Sequence, residues 1–244
     1  MEKSTLGVVS TGNLFRSCSS SQDGGIFYIV ESKLSEEFSS FIDISALYGS
    51  VMKCRNCYFT FTDSILDGSE AKSGGAFMIE NNGEGIVTRT SFKFTQALNQ
   101  GGLMSVVQSG LVQLDDKVIK FVDCFNIFGN KAKQGGVFFM NQPRITIHIV
   151  NSLIQKSLAT DTASVAFVQS GLGFIIERST IRDIFSSRSA VLFSTSTQLK
   201  LKILSSTLEC DSNYDPLAVT DDFTKINVPT ITTNSFFLSG NTET

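Results

Sequence analysis

Gly74-Gly75-Ala76-Phe77-Met78-Ile79 decides how this chain is read, because it recurs. The pattern stands upstream as Gly24-Gly25-Ile26-Phe27-Tyr28-Ile29, and downstream as Gly101-Gly102-Leu103-Met104-Ser105-Val106 and Gly135-Gly136-Val137-Phe138-Phe139-Met140. Ala163-Ser164-Val165-Ala166-Phe167-Val168 and Ser189-Ala190-Val191-Leu192-Phe193 continue it with small residues in the glycine positions. Successive anchors lie 50, 27, 34, 28 and 26 residues apart. Self-similarity at such a period marks a repeat architecture, in which each unit buries its apolar face only against its neighbours. The first step spans two ordinary ones, so it holds either a lost repeat or an insertion within 31–50.

A second column runs in phase: Asn56-Cys57-Tyr58-Phe59, Arg89-Thr90-Ser91-Phe92, Asp123-Cys124-Phe125, Asn151-Ser152-Leu153-Ile154, Arg178-Ser179-Thr180-Ile181, Ser205-Ser206-Thr207-Leu208 and Asn234-Ser235-Phe236-Phe237. Each member follows an alternating stretch such as Ile145-Thr146-Ile147-His148-Ile149, the period of a strand with one buried face. No segment carries a sustained helical pattern. Each unit therefore reads as two or three short strands joined by polar turns. Tight hairpin dipeptides are few (Asn82-Gly83, with Asp67-Gly68 and Asp23-Gly24), which argues against an antiparallel meander. A propeller blade needs about forty residues. The chain is expected to be all-β, a single parallel β-helix over 1–244 with about seven coils. Coil boundaries are expected near 24, 74, 101, 135, 163, 189 and 217.

In this fold the pairs Gly24-Gly25, Gly74-Gly75, Gly101-Gly102 and Gly135-Gly136 are structural turns, where a missing Cβ allows a sharp corner and close stacking. Their replacement by Ala and Ser in later copies fits a steric need better than a strict demand for positive φ. They precede strands, not a helix, and no Lys-Ser or Lys-Thr follows, so phosphate cradling is not expected.

The Gly-Gly-[Ile/Ala/Leu/Val] motif resembles the repeats of polymorphic outer-membrane proteins and of large pectin-lyase-like repeat proteins of protists. The resemblance covers about residues 11 to 240. The Phe-x-x-Asn half of the family pattern is reduced to Phe15-Arg16-Ser17-Cys18, Phe125-Asn126-Ile127-Phe128 and the near match Phe128-Gly129-Asn130. What the resemblance implies is a right-handed β-helix, a surface-exposed, adhesive or structural role, and an extracellular or cell-surface location.

Composition narrows the choices. With 20 Lys and Arg against 23 Asp and Glu, a net charge of −3 does not favour a nucleic-acid partner. No apolar run reaches the length of a membrane span, and Met1-Glu2-Lys3-Ser4-Thr5 does not lead into a secretory signal. The chain is rich in Phe (21) and Gly (19), with a single His and no Trp.

Many β-helix proteins act on polysaccharides, a chemistry that needs paired carboxylates. Asp115-Asp116 and Asp221-Asp222 are the obvious pairs, but neighbours on a strand point to opposite faces. Of the polygalacturonase-like set (Asn-Thr-Asp, Asp-Asp, Gly-His-Gly, Arg-Ile-Lys) only Asp-Asp occurs. His148 is expected to point outward, without an evident partner. Cys54-Arg55-Asn56-Cys57 is a lone Cys-x-x-Cys leading into a strand, which suits neither a zinc site nor a helix-borne redox pair. Cys57 and Cys124 are read as small-residue ladder positions; with Cys18 and Cys210 the five cysteines leave free thiols or one intermolecular bond open. Thr60-x-Thr62, Thr88-x-Thr90 and Thr195-x-Thr197 are too irregular for an ice-binding face. No catalytic residue, metal or cofactor is expected.

Neither end, Leu6-Gly7-Val8-Val9-Ser10 or Ile231-Thr232-Thr233-Asn234-Ser235-Phe236-Phe237-Leu238, reads as a polar or helical cap. The expectation is a non-enzymatic structural or surface-interaction module. It would assemble end to end, meet other surface proteins, or form part of a longer chain. A polysaccharide lyase or hydrolase is the alternative.

Overall fold

The computed structural model describes residues 7–186, 191–196 and 199–210, and the backbone of 217–219 and 236–239. Its strands wind through about seven turns of a parallel β-solenoid, with no helix among the described residues. The first coil holds β1 (Gly7–Thr11), β2 (Leu14–Arg16) and β3 (Phe27–Val30). The second holds β4 (Lys33–Glu37), β5 (Ser40–Ile42), β6 (Ser45–Tyr48) and β7 (Met52–Arg55). The third holds β8 (Tyr58–Thr62), β9 (Ile65–Asp67), β10 (Glu70–Ser73) and β11 (Phe77–Glu80), and the fourth β12 (Glu84–Thr88), β13 (Ser91–Lys93), β14 (Gln96–Gln100) and β15 (Met104–Val107). Next come β16 (Lys117–Val122), β17 (Ile127–Phe128), β18 (Lys131–Gln134) and β19 (Phe138–Asn141), then β20 (Ile145–Val150), β21 (Leu153–Gln155), β22 (Leu158–Thr162) and β23 (Ala166–Ser170). The last two coils contain β24 (Gly173–Glu177), β25 (Thr180–Ser186) and β26 (Leu192–Ser194), then β27 (Lys200–Leu204), β28 (Ser206–Cys210) and β29 (Leu217–Val219). Finally, β30 (Phe236–Ser239) pairs with β28.

Three parallel sheets run along the axis. Sheet I is β1-β4-β8-β12-β16-β20-β24-β27, and sheet III is β3-β7-β11-β15-β19-β23-β26-β29. Sheet II has two rows, IIa from β2 through β21 and IIb from β6 through β22, which β25 joins by running through both. Eight strands in sheet I, stacked ~4.8 Å apart, give a length of about 34 Å.

A complete coil thus has four strands, where the sequence suggests two or three. Short corners separate most of them, and most corners turn on one residue of positive φ. Between sheet I and IIa these are Gly12, Phe38, Asp63, Arg89, Asp123, Asn151, Arg178 and Ser205. An L-residue other than Gly in this region costs about 1–2 kcal/mol. The corner N–H offsets that strain by donating to the next coil, as from Asp63 to Thr88 O (3.1 Å) and from Asn151 to Glu177 O (2.9 Å).

At the Gly-Gly corner between IIb and sheet III, the first residue answers both a conformational and a steric demand and the second a steric one. The first position has positive φ throughout, at Gly24, Gly49, Gly74, Gly101, Gly135 and even Ala163 (φ 56). The second is steric: a Cβ on Gly75 would overlap the carbonyl oxygen of Gly102, and one on Gly102 that of Gly136. A positive φ thus accompanies the steric need at the first position. Ser50 fills the second position by donating its hydroxyl to Gly75 O. Gly49-Ser50-Val51-Met52 is the copy hidden in the 50-residue step, since β7 pairs in register with both β3 and β11. Residues 31–50 hold an ordinary coil and no insertion. The extra residues lie instead at 108–116, between β15 and β16. The boundary near 189 falls outside the described residues.

Inside, Phe41, Leu66, Phe92, Ile127, Ile154, Ile181 and Leu208 form one buried ladder, and phenyl rings pack from Phe15 to Phe174 along the axis. Row IIb is lined by Ala71, Ala97, Ala132 and Ala159, an alanine column that the Gly-Gly anchors overshadow in the sequence. At the corner after sheet I, Ser39, Ser64, Thr90, Ser152, Ser179 and Ser206 each donate a side-chain hydroxyl to the carbonyl two residues back. The Ser152 N–H in turn donates to Ser179 Oγ (3.0 Å), so the hydroxyls also tie neighbouring coils. This is the second sequence column, with one correction. Its third-coil member is Asp63-Ser64, while Asn56-Cys57 occupies the corner from sheet III to sheet I. Both corners use a positive-φ residue followed by a small buried one, which makes them look alike in sequence.

One position breaks the apolar interior. Glu36 is fully buried on β4, in a column continued by Phe61 and Val87, and neither carboxylate oxygen has a hydrogen-bond partner. Glu36→Leu should raise the unfolding free energy by about 1–3 kcal/mol, the cost of an unsatisfied buried polar group; chemical denaturation measures it. Gly75→Ala should destabilise by more than about 2 kcal/mol because backbone must shift, whereas Gly12→Ala, with open space around it, should cost no more than about 1–2 kcal/mol from φ alone. Equal melting temperatures for the two glycine variants would contradict the steric demand at Gly75.

Candidate functional site

The residues at 108–116 border a groove on the outside of the solenoid. Leaving β15, the chain crosses the outside of the preceding corner, where Asn81 and Asn82 hold it. Ser109 N–H donates to Asn81 Oδ1 (2.8 Å), Asp115 N–H to Asn82 Oδ1 (2.8 Å), and Asn82 Nδ2 to Gln113 O (3.1 Å). Gln142 Nε2 donates to Asn81 O from two coils away, and Asn82 N–H to Asn56 Oδ1 (3.3 Å). The loop becomes one wall of a groove of about 590 Å³ along the corner from sheet III to sheet I. Tyr58, Asn56 and Cys57 form its floor region, with carboxylates from Glu31, Glu84 and Asp115 and ammonium groups from Lys33 and Lys117. Glu84 and Lys117 approach to 3.6 Å across it. Its lining mixes charged and hydrogen-bonding groups with apolar surface, which suits a ligand that offers both.

The sequence-selected residues distribute as follows. Asp115 enters the groove and Asp116 turns away to Arg144 (2.8 Å), so the Asp115-Asp116 pair diverges as expected. Asp221-Asp222 lies outside the described residues. His148 is on the outer face of sheet I, half-buried, but it does have a partner: Nε2 lies 3.2 Å from Glu177 Oε2 on the next coil. Glu177 is two residues beyond the register partner of His148, so no sequence spacing displays the pair.

The cysteine reading changes. Cys54 and Cys57 form a disulfide across the corner after β7, with Cα atoms 5.9 Å apart, and both are buried. Cys57 is therefore a crosslink and not a ladder residue; positive φ at Asn56 brings the two side chains together. Cys124 is a free ladder thiol whose burial pushes its pKa up to about 12, so it stays protonated and inert at neutral pH. Cys18 is free and half-buried, and the Cys210 side chain lies outside the described residues. Thr90 is buried with its hydroxyl on Thr88 O, which removes Thr88-x-Thr90 from any flat face; Thr197 is not described.

Another polar cluster is invisible in the sequence because its paired members sit 25 to 30 residues apart. On the outer face of sheet III, Lys53 bridges Asp23 (2.7 Å) and Glu80 (3.0 Å), and Arg55 reaches Glu80 (2.8 Å). Burial alone would lower the Lys53 pKa, but its hydrogen bonds to Asp23 and Glu80 outweigh this and raise it. The cluster ties three coils together.

No protein-family model matches the chain, and neither a curated protein nor a solved structure is similar to it.

Asn82→Ala should free the 108–116 loop, because both of its side-chain contacts to that loop disappear. Limited proteolysis should then cut around the exposed Leu111 at least several-fold faster, with the melting temperature little changed. An unchanged cleavage rate would show that the asparagine does not hold the loop.

Proposed function

We propose that this protein is a non-enzymatic structural or surface-interaction solenoid that joins a second copy of itself through the edge of its first coil. The observation that carries this reading is that β1, β2 and β3 pair on one side only among the described residues. Their neighbourhood also exposes Val8, Val9, Leu14, Tyr28 and Val30, with Val9 78% accessible. Unpaired parallel strands invite pairing, and three at once match only a coil of the same shape. The resemblance to surface repeat proteins points the same way. Sedimentation should show association that rises with concentration, and Val9→Lys with Leu14→Lys should abolish it by placing charge on the edge. A dispersed monomer at all concentrations overturns the reading.

The groove supports a second reading, a polysaccharide-acting lyase or hydrolase. Carboxylates beside Tyr58, under a loop held by two asparagines, suit a polyhydroxylated ligand. Incubation with polygalacturonate and related glycans tests it. Product release by the native protein, lost in Glu84→Gln and Asp115→Asn, supports an enzyme; no release from any glycan counts against one.

A further inference from the structure

The solenoid maps sequence position onto distance along its axis, so a charge imbalance in sequence becomes one in space. Residues 7–116 carry seven Lys and Arg against twelve Asp and Glu, whereas 117–210 carry eleven against five. The net value of −3 conceals this. Part of the positive excess gathers on the outside of sheet II. Lys131 and Lys133 project from β18, Lys156 from the corner after β21, and Arg182 from β25; all four are exposed, and none has an ion pair among the described residues. Arg182 instead donates to Gln155 Oε1. The acids nearby are Glu70 at one end, Asp161, which accepts from Gln134 Nε2 (3.5 Å), and Asp183 beside Arg182.

The same face displays the wrong side chains for a purely solvated surface. Phe94 is 48% accessible, Leu98 69% and Phe185 57%. They are contiguous with the cations. Leu98 lines a shallow depression with Lys131 and Lys133, Leu158 links Lys131 to Phe185 in register, and the Phe128 ring has Phe94 edge-on (5.3 Å) and Lys156 Nζ above it (5.4 Å). β25 runs through both rows, and IIa and IIb meet there at a bend where Asp183 has positive φ, the corner held by Phe94 and Lys156 in earlier coils.

We propose that this face, between the fourth and seventh coils, docks peripherally on an anionic lipid bilayer. Apolar tips enter the headgroup boundary while Lys and Arg stems extend past them to anionic headgroups, the division of labour that amphipathic surfaces use. A soluble polyanion would engage the cations but leave Phe94, Leu98 and Phe185 in water. The inference does not depend on self-association, which uses a different part of the molecule.

Cosedimentation of the full chain with phosphatidylcholine vesicles, with and without phosphatidylserine, tests it. Binding is expected only with phosphatidylserine and should weaken as salt rises. Lys131→Glu with Lys133→Glu should reduce it about tenfold or more. Leu98→Ser, alone and combined with Phe94→Ser and Phe185→Ser, should weaken it several-fold while circular dichroism confirms an unchanged fold. Absence of binding to either vesicle overturns the proposal. So does binding indifferent to the serine variants, which would mark a general polyanion site; polyglutamate competition identifies that case. Capture of a protein partner by this face without vesicle binding overturns it as well.

Discussion

The structure depends on one distance, the ~4.8 Å between stacked coils, which every corner must respect. A strand accepts this spacing through its backbone hydrogen bonds. A corner must both reverse direction within one residue and leave its N–H aimed at the coil below. Positive φ achieves this, and the chain adopts it at Gly as well as at Phe38, Arg89, Lys156 and Arg178, where it is strained. The strain is tolerated because each corner hydrogen bond is repeated by its neighbours. At Gly25, Gly75, Gly102 and Gly136 a Cβ would overlap the carbonyl oxygen of the next coil.

A solenoid built this way separates interior from exterior strictly. The interior is filled by the phenyl and aliphatic ladders, the alanine column that narrows row IIb, and a hydroxyl ladder that satisfies the buried corners. The exterior is free to vary from coil to coil. It holds the Lys53 cluster, the His148–Glu177 pair, the groove under residues 108–116 and the aromatic, cationic face of sheet II. A second apolar cluster (Phe139, Phe167 and Phe193 with Ala163) packs outside the main core, beside sheet III, with ring centroids 5.7 and 5.5 Å apart. Phe therefore serves three environments in this chain: the core ladder, this external stack and exposed corners such as Phe94.

The repeat was legible because its cause is local. Gly-Gly followed by apolar alternation encodes a corner and a strand within six residues, and stacking reproduces it. The misreadings arose where one local code serves two places. Asn56-Cys57 and Asp63-Ser64 both encode a positive-φ corner with a small buried follower, so the sequence alone does not separate Cys57 from the hydroxyl ladder. Gly49-Ser50 is a genuine copy that lacks the second glycine, because a serine hydroxyl can bond the carbonyl that a methyl would strike. The candidate site was far less legible. Asn82, Gln113 and Asp115 are separated by about thirty residues and meet only because one long coil folds back over the corner of the coil before it.

By itself, the sequence determined the all-β character, the parallel stacking and the approximate number of turns, since these follow from a period that every unit must share. Tertiary structure decided what lies between the units: the Cys54–Cys57 crosslink, the partner of His148, the groove wall at 108–116 and the face that gathers Lys131, Lys133 and Lys156 with Phe94 and Leu98. The physical reason is that a repeat constrains residues one period apart to the same depth. Which side chains touch across coils depends on the exact length of each one, and in this chain those lengths differ.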